Sequence, residues 1–326
     1  MKQIQHPFML IIYGPTGVGK TDIALSIAEQ LPSEIINMDV GQFYTSLSIG
    51  TAKPAWKDSP IPHHLFDIIN EPINYTVSEY RSMLYDTVTD ITKKNKIPIV
   101  VGGSAFYLHA LLYPPIANIS EQADTQNIQE HGAHNTLWQT LYDIDPKRAH
   151  GIEKTDIYRI KRALVIWYST KTLPSSYKPV YKPEADYILL FVTRERQDLR
   201  NRINNRVLHM IQQGWIAEAQ KCINTSWQPF LQKKKLIGYS EIFDYLSHDT
   251  TKYAFDRMIE VIQAKTRQYA KRQYTFWRKL EREIKKENQY TSTCIGCLEV
   301  VNSTLAESFF EKDLIMRLKK RLQIYE

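Results

Sequence analysis

The chain has 326 residues, of which 43% are hydrophobic and 24% charged, an ordinary composition for a soluble globular protein and a length sufficient for two domains. Lys and Arg outnumber Asp and Glu by 42 to 35, and the resulting charge of +7 is a modest indication of a polyanionic partner such as nucleic acid. Three cysteines cannot build a disulfide framework, no apolar stretch reaches the roughly 18 residues of a membrane span, and the first residues lack a signal-peptide pattern, so we expect a cytoplasmic protein with no membrane partner.

Near the start of the chain, eight residues have the spacing of a P-loop: Gly14, Pro15, Thr16, Gly17, Val18, Gly19, Lys20 and Thr21. We call this stretch the glycine-rich loop. The apolar run Phe8–Ile12 before it is typical of a buried strand, and Ile23, Ile27 and Leu31 follow it at helical spacing. This order predicts a site where backbone N–H groups hold a di- or triphosphate, with the lysine on the phosphates and the threonine on Mg²⁺. The pattern leaves the identity of the phosphate compound open.

A second predicted strand, Glu34–Met38, places Asp39 at its carboxyl end. Ligands of open α/β sheets bind at the carboxyl ends of the strands, so we expect Asp39 to lie near the glycine-rich loop. Three roles are open to this residue: a magnesium ligand after an apolar run, a general base, or a cap of the following turn.

The next segment combines a polar loop with a short strand. The loop Ile49–Pro54 offers two potential donors to phosphate or nucleic acid, and Pro62–Ile68 predicts the start of a strand. Neighbouring residues of a strand point to opposite faces, so His63 and His64 are interpreted as hydrogen-bonded structural residues rather than as ligands of one metal.

A helix predicted over Val77–Thr92 precedes another buried strand, Ile97–Val101, which ends in Gly102, Gly103 and Ser104. Two glycines at the carboxyl end of a strand permit a close approach of the backbone, and the serine hydroxyl can bind a phosphate oxygen. A tight turn into the predicted helix Phe106–Leu112 explains the same residues equally well.

The character of the sequence changes from Tyr113 to about Asp186, where a helix over Asp156–Leu164 carries two arginines three residues apart. A strongly β-forming run, Tyr187–Val192, then resumes the α/β pattern. We therefore predict an α/β core in residues 1–112, a helical insertion in 113–185, a return to the core in 186–285 and a tail of unassigned role in 286–326.

Two further helices are predicted downstream, over Asp198–Gln213 and from about Arg257 onward. The second carries Lys265, Arg272 and Lys279 on one stripe, which fits either a polyanion or a solvated surface. In the tail, Cys294 and Cys297 form a CxxC without a second pair, and we interpret both as free thiols.

Five motifs, taken in order, resemble those of the tRNA dimethylallyltransferases, also called tRNA isopentenyltransferases: Gly14–Thr21, Ile49–Pro54, Pro62–Leu65, Val101–Gly103 and Thr266–Gln273. The resemblance extends to about Lys279. Members of this family attach a five-carbon prenyl group to N6 of adenosine 37, beside the anticodon of tRNA. The resemblance implies a P-loop NTPase-like α/β fold, in which helices flank a parallel sheet and a mainly helical domain is inserted, and it implies a monomer.

The resemblance also implies catalytic roles for Asp39, Ser104 and Arg206. The glycine-rich loop would hold the diphosphate of dimethylallyl diphosphate, with Mg²⁺ on Thr21, and would not serve ATP hydrolysis. Asp39 would accept the proton from N6 as this nitrogen attacks the allylic carbon. Lys20, Thr21 with Mg²⁺, Ser104 and Arg206 would neutralise the charge that develops on the leaving diphosphate.

Contacts with the anticodon loop of tRNA are implied, again by resemblance, for twelve residues: Asp39, Val40, Gly41, Gln42, Ser104, Tyr158, Arg159, Ile160, Lys161, Arg162, Lys235 and Arg272. Arg159 and Arg206 match two functional arginines of the family. An adenine extruded from the loop would enter the site from the side opposite the diphosphate.

Three departures from the family pattern concern tRNA binding. Thr45 stands where the family has Arg or Lys, Ser104 stands where it has Thr, and the segment after Pro115 lacks an arginine expected near residues 124–126. Three other functions share parts of the pattern: an adenylate isopentenyltransferase acting on free nucleotides, a nucleoside or nucleotide kinase with Asp39 as magnesium ligand, and a nucleic-acid-binding P-loop protein without chemistry.

Overall fold

A computed structural model describes residues 7–114, 134–248, 250–287 and 294–300, together with residues 315, 316, 318 and 319. The chain divides into two compact units, Met1–Leu111 with Glu184–Glu326, and Leu112–Pro183. The second unit spans nearly the same residues as the predicted insertion. The arginine position near residues 124–126 and the side chains of Cys294 and Cys297 lie outside the described part. Within the described ranges, no helix is long and apolar enough to cross a membrane.

The first unit contains a sheet of six parallel strands in the order β3-β2-β4-β1-β5-β6. The strands are β1 Phe8–Tyr13, β2 Ser33–Asn37, β3 His63–His64, β4 Ile97–Gly102, β5 Asp186–Val192 and β6 Cys294–Val300. Its helices are α1 Lys20–Gln30, α2 Val77–Lys93, α3 Ala105–Leu112, which reaches into the second unit by one residue, α7 Arg196–Gln212, α8 Trp215–Gln220, α9 Trp227–Lys234, α10 Tyr239–His248 and α11 Lys252–Glu287. The predicted parallel sheet flanked by helices is confirmed.

Strand β1 lies in the middle of the sheet and is buried on both faces. Its side chains on one face, Phe8, Leu10 and Ile12, pack with Ile23 and Ile27 of α1 in one hydrophobic cluster. A parallel strand covered on both sides needs a continuous apolar run, which is the pattern of Phe8–Ile12 in the sequence.

The second unit has its own small core. Its helices are α4 His134–Ile144, α5 Pro146–His150 and α6 Ile157–Thr170. Leu137 and Leu141 of α4 pack against Ile160 and Leu164 of α6. The apolar side of α6 is therefore used for packing, and its remaining side chains are left for the surface.

Two predicted elements differ from the structure. The strand predicted over Pro62–Ile68 is reduced to His63–His64, because Leu65 and Asp67 adopt positive φ angles of 61° and 52° that interrupt an extended backbone. The tail, which the sequence left without pattern, contributes β6, and this strand pairs in parallel with β5.

Candidate active site

A cavity of about 610 Å³ opens at the carboxyl ends of β1, β2 and β4, within the first unit. The glycine-rich loop follows β1, Asp39 follows β2, and Gly103 follows Gly102 at the end of β4. Polar residues of α7, the helix after β5, complete the lining with Gln273 of α11. Four adjacent strands thus deliver their following residues to one place, as expected for an open α/β sheet.

The glycine-rich loop connects β1 to α1 in the predicted order. Gly17 and Gly19 have φ angles of 81° and 98°, in the region that side chains with a Cβ rarely adopt. A Cβ on Gly14 would lie 2.3 Å from the carbonyl oxygen of Val192, so this glycine lets the loop pass against the end of β5. Glycine at these positions is a requirement of the turn itself.

Lys20 begins α1 and folds back over the loop. Its Nζ donates to the carbonyl oxygens of Gly14, at 3.0 Å, and Pro15, at 2.9 Å. Burial and, to a smaller extent, the nearby Arg206 guanidinium lower the pKa of Lys20 to about 8, against the attraction of Asp39. The ammonium is held at the loop by these carbonyl oxygens, and an anion in the cavity would stabilise its charged form.

Asp39 caps the 3₁₀ turn Val40–Phe43 that follows β2. Its Oδ1 accepts from the backbone nitrogen of Gly41 at 3.1 Å, and its own backbone nitrogen donates to Oδ1 of the buried Asn37 at 2.8 Å. Burial raises the pKa of the Asp39 carboxyl, although the hydrogen bond from Gly41 and the charges of Lys20 and Arg206 pull it down. A fixed carboxylate with a raised pKa suits a proton acceptor. The capping role left open by the sequence is compatible with this role, because the cap uses only one oxygen.

Helix α7 presents a polar face to the cavity. Arg202, Asn205, Arg206 and His209, which lie within two turns of the helix, all line it. The Nε of Arg202 donates to the carbonyl oxygen of Gly17 at 3.1 Å. Burial lowers the pKa of Arg206, against the attraction of Asp39. Among the four, only Arg206 was predicted as a site residue, although helical spacing of three or four from Arg206 also reaches Arg202 and His209.

The side chain of Gln42 lines the cavity and holds a neighbouring loop. Its Nε2 donates to the carbonyl oxygens of Thr51, at 3.2 Å, and Ala52, at 3.3 Å. Lys53 in that loop is 4% exposed, pairs with Asp67 and donates to the carbonyl oxygen of Tyr44 at 2.7 Å. The expectation that this loop offers two donors to a ligand is therefore wrong for Lys53, whose ammonium is engaged within the fold.

Glu218 on α8 binds the same loop from its other side. Its carboxylate accepts from the backbone nitrogens of Ser48, Ile49 and Gly50 at 2.7 to 2.9 Å, and from the hydroxyl of Tyr239 at 2.8 Å. Sequence reasoning missed this clamp because its partners lie about 170 residues apart along the chain.

Gln273 on α11 was also missed as an individual residue, although it ends the motif Thr266–Gln273. It is 3% exposed, lines the cavity and joins the glycine-rich loop to the end of β4 through hydrogen bonds to Thr16 and Gly103. Ser104 follows Gly103 directly, is half-buried and is not among the residues that line the cavity.

The residues predicted to bind tRNA fall into two groups. In the first unit, Lys235 and Arg272 are exposed, and the Arg272 guanidinium lies 5.8 Å from the centre of the Tyr269 ring. In the second unit, Tyr158 is 72% exposed at the start of α6. Its neighbours there differ: Arg159 is exposed, Lys161 and Arg162 are half-buried, and Ile160 is 0% exposed in the core of the unit. The side chain of Ile160 is thus used for folding.

The paired histidines are both hydrogen-bonded. His63 Nδ1 donates to the carbonyl oxygen of Ile61 at 2.7 Å, and His64 Nε2 donates to Glu34 at 2.7 Å. Among the described residues, no group of three or more His, Cys, Asp and Glu side chains is arranged to hold a metal. The two hydrogen bonds agree with the prediction that these histidines are hydrogen-bonded.

Comparisons with known proteins extend over most of the chain. The family model described as IPP transferase matches residues 42–280. A tRNA dimethylallyltransferase of Thermotoga neapolitana is 34% identical over 283 residues, which cover 85% of this chain and 91% of that protein. The crystal structure of a tRNA delta(2)-isopentenylpyrophosphate transferase from Staphylococcus epidermidis has a TM-score of 0.62 at 27% identity and covers 97% of this chain and 99% of that one. The structure of a eukaryotic dimethylallyltransferase acting on tRNA has a TM-score of 0.74 at 25% identity and covers 98% of this chain and 80% of that one.

Proposed function

This chain belongs to the IPP transferase family, and from that premise we propose that it transfers a dimethylallyl group from dimethylallyl diphosphate to N6 of adenosine 37 in tRNA, releasing diphosphate. The observation that carries the proposal is one cavity in which a cationic loop for diphosphate faces a carboxylate with a raised pKa. The cationic loop can stabilise the negative charge of a departing diphosphate, and the carboxylate can accept the proton that an amine nucleophile must lose.

The leaving group is served by the glycine-rich loop. The backbone N–H groups at the start of α1 and the positive end of the helix dipole favour an anion there. Lys20 and Arg206 add two cations that line the same cavity, and Arg202 adds a third at its rim. These charges stabilise the diphosphate as the bond between its oxygen and the allylic carbon breaks, which is the step at which negative charge develops.

The nucleophile is served by Asp39. The N6 amino group of an adenosine forms the new bond to the allylic carbon and must then lose a proton. Asp39 follows β2 and lines the same cavity as the glycine-rich loop, which follows β1. Its second carboxylate oxygen, Oδ2, is not used in capping the turn. Asp39 takes the proton, so the alkylated nitrogen becomes neutral and the product is N6-(dimethylallyl)adenosine.

Mg²⁺ fits the residues present at the loop. Thr21 supplies a hydroxyl and Asp22 supplies a carboxylate in the lining of the cavity, both of them the hard oxygen donors that Mg²⁺ prefers. When bound, Mg²⁺ would hold the diphosphate through Thr21 and neutralise part of its charge. Few protein ligands are expected, because Mg²⁺ in such sites is held largely by phosphate and water.

The exposed aromatic and basic residues support tRNA rather than a free nucleotide as acceptor. Tyr158 and Arg159 in the second unit, and Lys235 and Arg272 in the first, are open to a large partner. Tyrosine and arginine are suited to stack on unpaired bases, and lysine and arginine to contact phosphates. The monomeric state and the cytoplasmic location remain predictions of the sequence.

A comparison of three acceptors tests this function. The protein is incubated with labelled dimethylallyl diphosphate and Mg²⁺ and with unmodified tRNA, AMP or ATP in separate reactions. The proposal requires label in tRNA and none in the free nucleotides. Label on AMP alone would identify an adenylate isopentenyltransferase, and consumption of ATP without prenyl transfer would identify a kinase; either result rejects the proposal.

A further inference from the structure

Gln273 joins two segments of the site that come from distant parts of the chain. Its Oε1 accepts from the backbone nitrogen of Thr16 at 2.9 Å, and its Nε2 donates to the carbonyl oxygen of Gly103 at 2.7 Å. One amide group thus bridges the glycine-rich loop, after β1, and the turn that follows β4. Both hydrogen bonds are buried or partly buried, where an unmade bond is costly.

The surroundings leave the amide little freedom. A Cβ on Gly103 would lie 2.3 Å from Nε2 of Gln273, so the glycine makes room for this side chain. The backbone oxygen of Gln273 accepts from the hydroxyl of Tyr13 at 3.2 Å, which ties α11 to the end of β1 as well. Arg267, two turns earlier on α11, donates to Oδ1 of Asn204 on α7 at 2.6 Å. The helix that carries Gln273 is therefore held by hydrogen bonds to two elements, β1 and α7.

The bridge also selects which backbone groups face a ligand. Because the Thr16 N–H is directed into Gln273, it is withdrawn from the set that can contact phosphate, and the anion cradle begins at Gly17. The amide holds the first turn of the loop at a set distance from Gly103 and Ser104. Lys20, on the loop, and Gly103, on the turn, both line the cavity, so the bridge sets the spacing between two parts of its lining.

We propose that Gln273 is a positioning residue that sets the glycine-rich loop against the β4 turn and thereby shapes the site for diphosphate. This inference rests on the proposed function, since it concerns the same leaving-group site. Gln273 does not contact the reacting atoms in this account. It acts through Thr16 and Gly103.

The test measures the affinity of the full-length protein for inorganic diphosphate with Mg²⁺ by calorimetry. Gln273→Met keeps the length of the side chain and removes both hydrogen bonds, and we expect diphosphate to bind about tenfold more weakly, or worse, because two hydrogen bonds that fix the loop are lost. Gln268→Met on the exposed side of the same helix is the matched control and should bind diphosphate as the wild type does.

In Gln273→Glu, the pH dependence of diphosphate affinity distinguishes a positioning role from a purely structural one. An ionised carboxylate still accepts from Thr16 but repels the carbonyl oxygen of Gly103, whereas a protonated carboxyl can donate to that oxygen and so resembles the amide. The ratio of variant to wild-type affinity should therefore be low at pH 8 and rise severalfold toward pH 5.5. Comparison at each pH with the wild type cancels the titration of diphosphate and of the other site residues.

Two results separate the inference from the function on which it rests. If wild-type protein binds diphosphate and Gln273→Met binds it equally well, or if the Gln273→Glu ratio is independent of pH, Gln273 has no positioning role. If the wild type itself does not bind diphosphate, the proposed function fails and the inference fails with it. As a control, thermal unfolding of each variant is measured without ligand, to establish that the assay temperature lies below the unfolding transition.

Discussion

Asp39 is the residue on which the proposed chemistry depends most strongly. Its carboxylate is held by the Gly41 N–H and lies near two cations, yet burial raises its pKa above the ordinary value. Those cations are also the groups that would hold the leaving diphosphate. The base and the leaving-group site are thus electrostatically coupled through Lys20 and Arg206.

Replacing Asp39 by asparagine should lower turnover at saturating substrate by at least about a hundredfold, the scale of a lost general base. The amide can still accept from the Gly41 N–H, so the turn should persist. Turnover is measured as dimethylallyl transfer to tRNA, with circular dichroism to compare the folds. A turnover within threefold of wild type in a folded variant would remove Asp39 from the role of base.

The same residues predict the pH dependence of kcat/KM for dimethylallyl diphosphate. Asp39 must be ionised to accept a proton, so the rate should fall as the pH drops through its raised pKa. Lys20 must be protonated to bind diphosphate, so the rate should also fall as the pH rises past about 8, the pKa to which burial lowers this lysine. A bell-shaped profile follows. Lys20→Met should have a lower kcat/KM whose pH profile no longer falls near pH 8. If the fall near pH 8 persists in this variant, it belongs to another group.

Residues whose function follows from local sequence were predictable, and those defined by distant contacts were not. The glycine-rich loop and Asp39 stand next to strands that can be recognised from apolar runs, so their position at the carboxyl edge follows from general rules of α/β sheets. Gln273 meets Thr16 across 257 positions of the chain. Nothing in the residues around either one indicates that they touch, because that contact is created by the packing of α11 on the sheet.

At the scale of elements, the loop that lines one side of the cavity is held by the helices after α7. Trp215 at the start of α8 fits between two glycines: a Cβ on Gly50 would lie 2.1 Å from its Nε1, and a Cβ on Gly238 2.0 Å from its Cζ2. Together with the Glu218 clamp, this slot joins the Ile49–Pro54 motif to the Lys235–Ser240 segment. The resemblance assigned Lys235 to tRNA contact, and the structure gives its segment a packing role in addition.

The slot predicts a large effect for Gly238→Ala. The new Cβ would overlap the indole of Trp215, and the φ angle of 97° at this position is unfavourable for alanine. We expect the free energy of unfolding in urea to fall by about 1–3 kcal/mol or more, as overpacked cores do. Gly151→Ala is the control, since a Cβ there meets only carbonyl oxygens at 3.5 Å or beyond and φ is −84°. Equal stability of the two variants would show that the slot tolerates a methyl group.

Element boundaries show the same division between local and distant causes. The helix predicted over Val77–Thr92 is observed over Val77–Lys93, because Thr76 and Glu79 form a capping box at its start. The strand predicted at Pro62–Ile68 is much shorter, because left-handed residues after His64 turn the chain away. Strand β6 was not predicted, since an edge strand is defined by its pairing with β5 more than by its own sequence.

At the scale of the whole molecule, the parallel α/β architecture could be predicted because buried strands alternate with amphipathic helices along most of the chain. The order of the strands could not, because β4 enters between β1 and β2 only through packing. The net charge of +7 is in keeping with a nucleic-acid acceptor, and the family membership supplies what charge alone does not: a reaction in which the acceptor is a base of tRNA.

The most direct test of the whole account is the position of the transferred group. Wild-type protein is incubated with labelled dimethylallyl diphosphate, Mg²⁺ and an unmodified tRNA transcript, or the same transcript with guanosine at position 37, and the tRNA is digested to nucleosides. The account predicts label in N6-(dimethylallyl)adenosine from the first transcript and none from the second. Equal label in both transcripts, or no label in either while free AMP becomes prenylated, would contradict it.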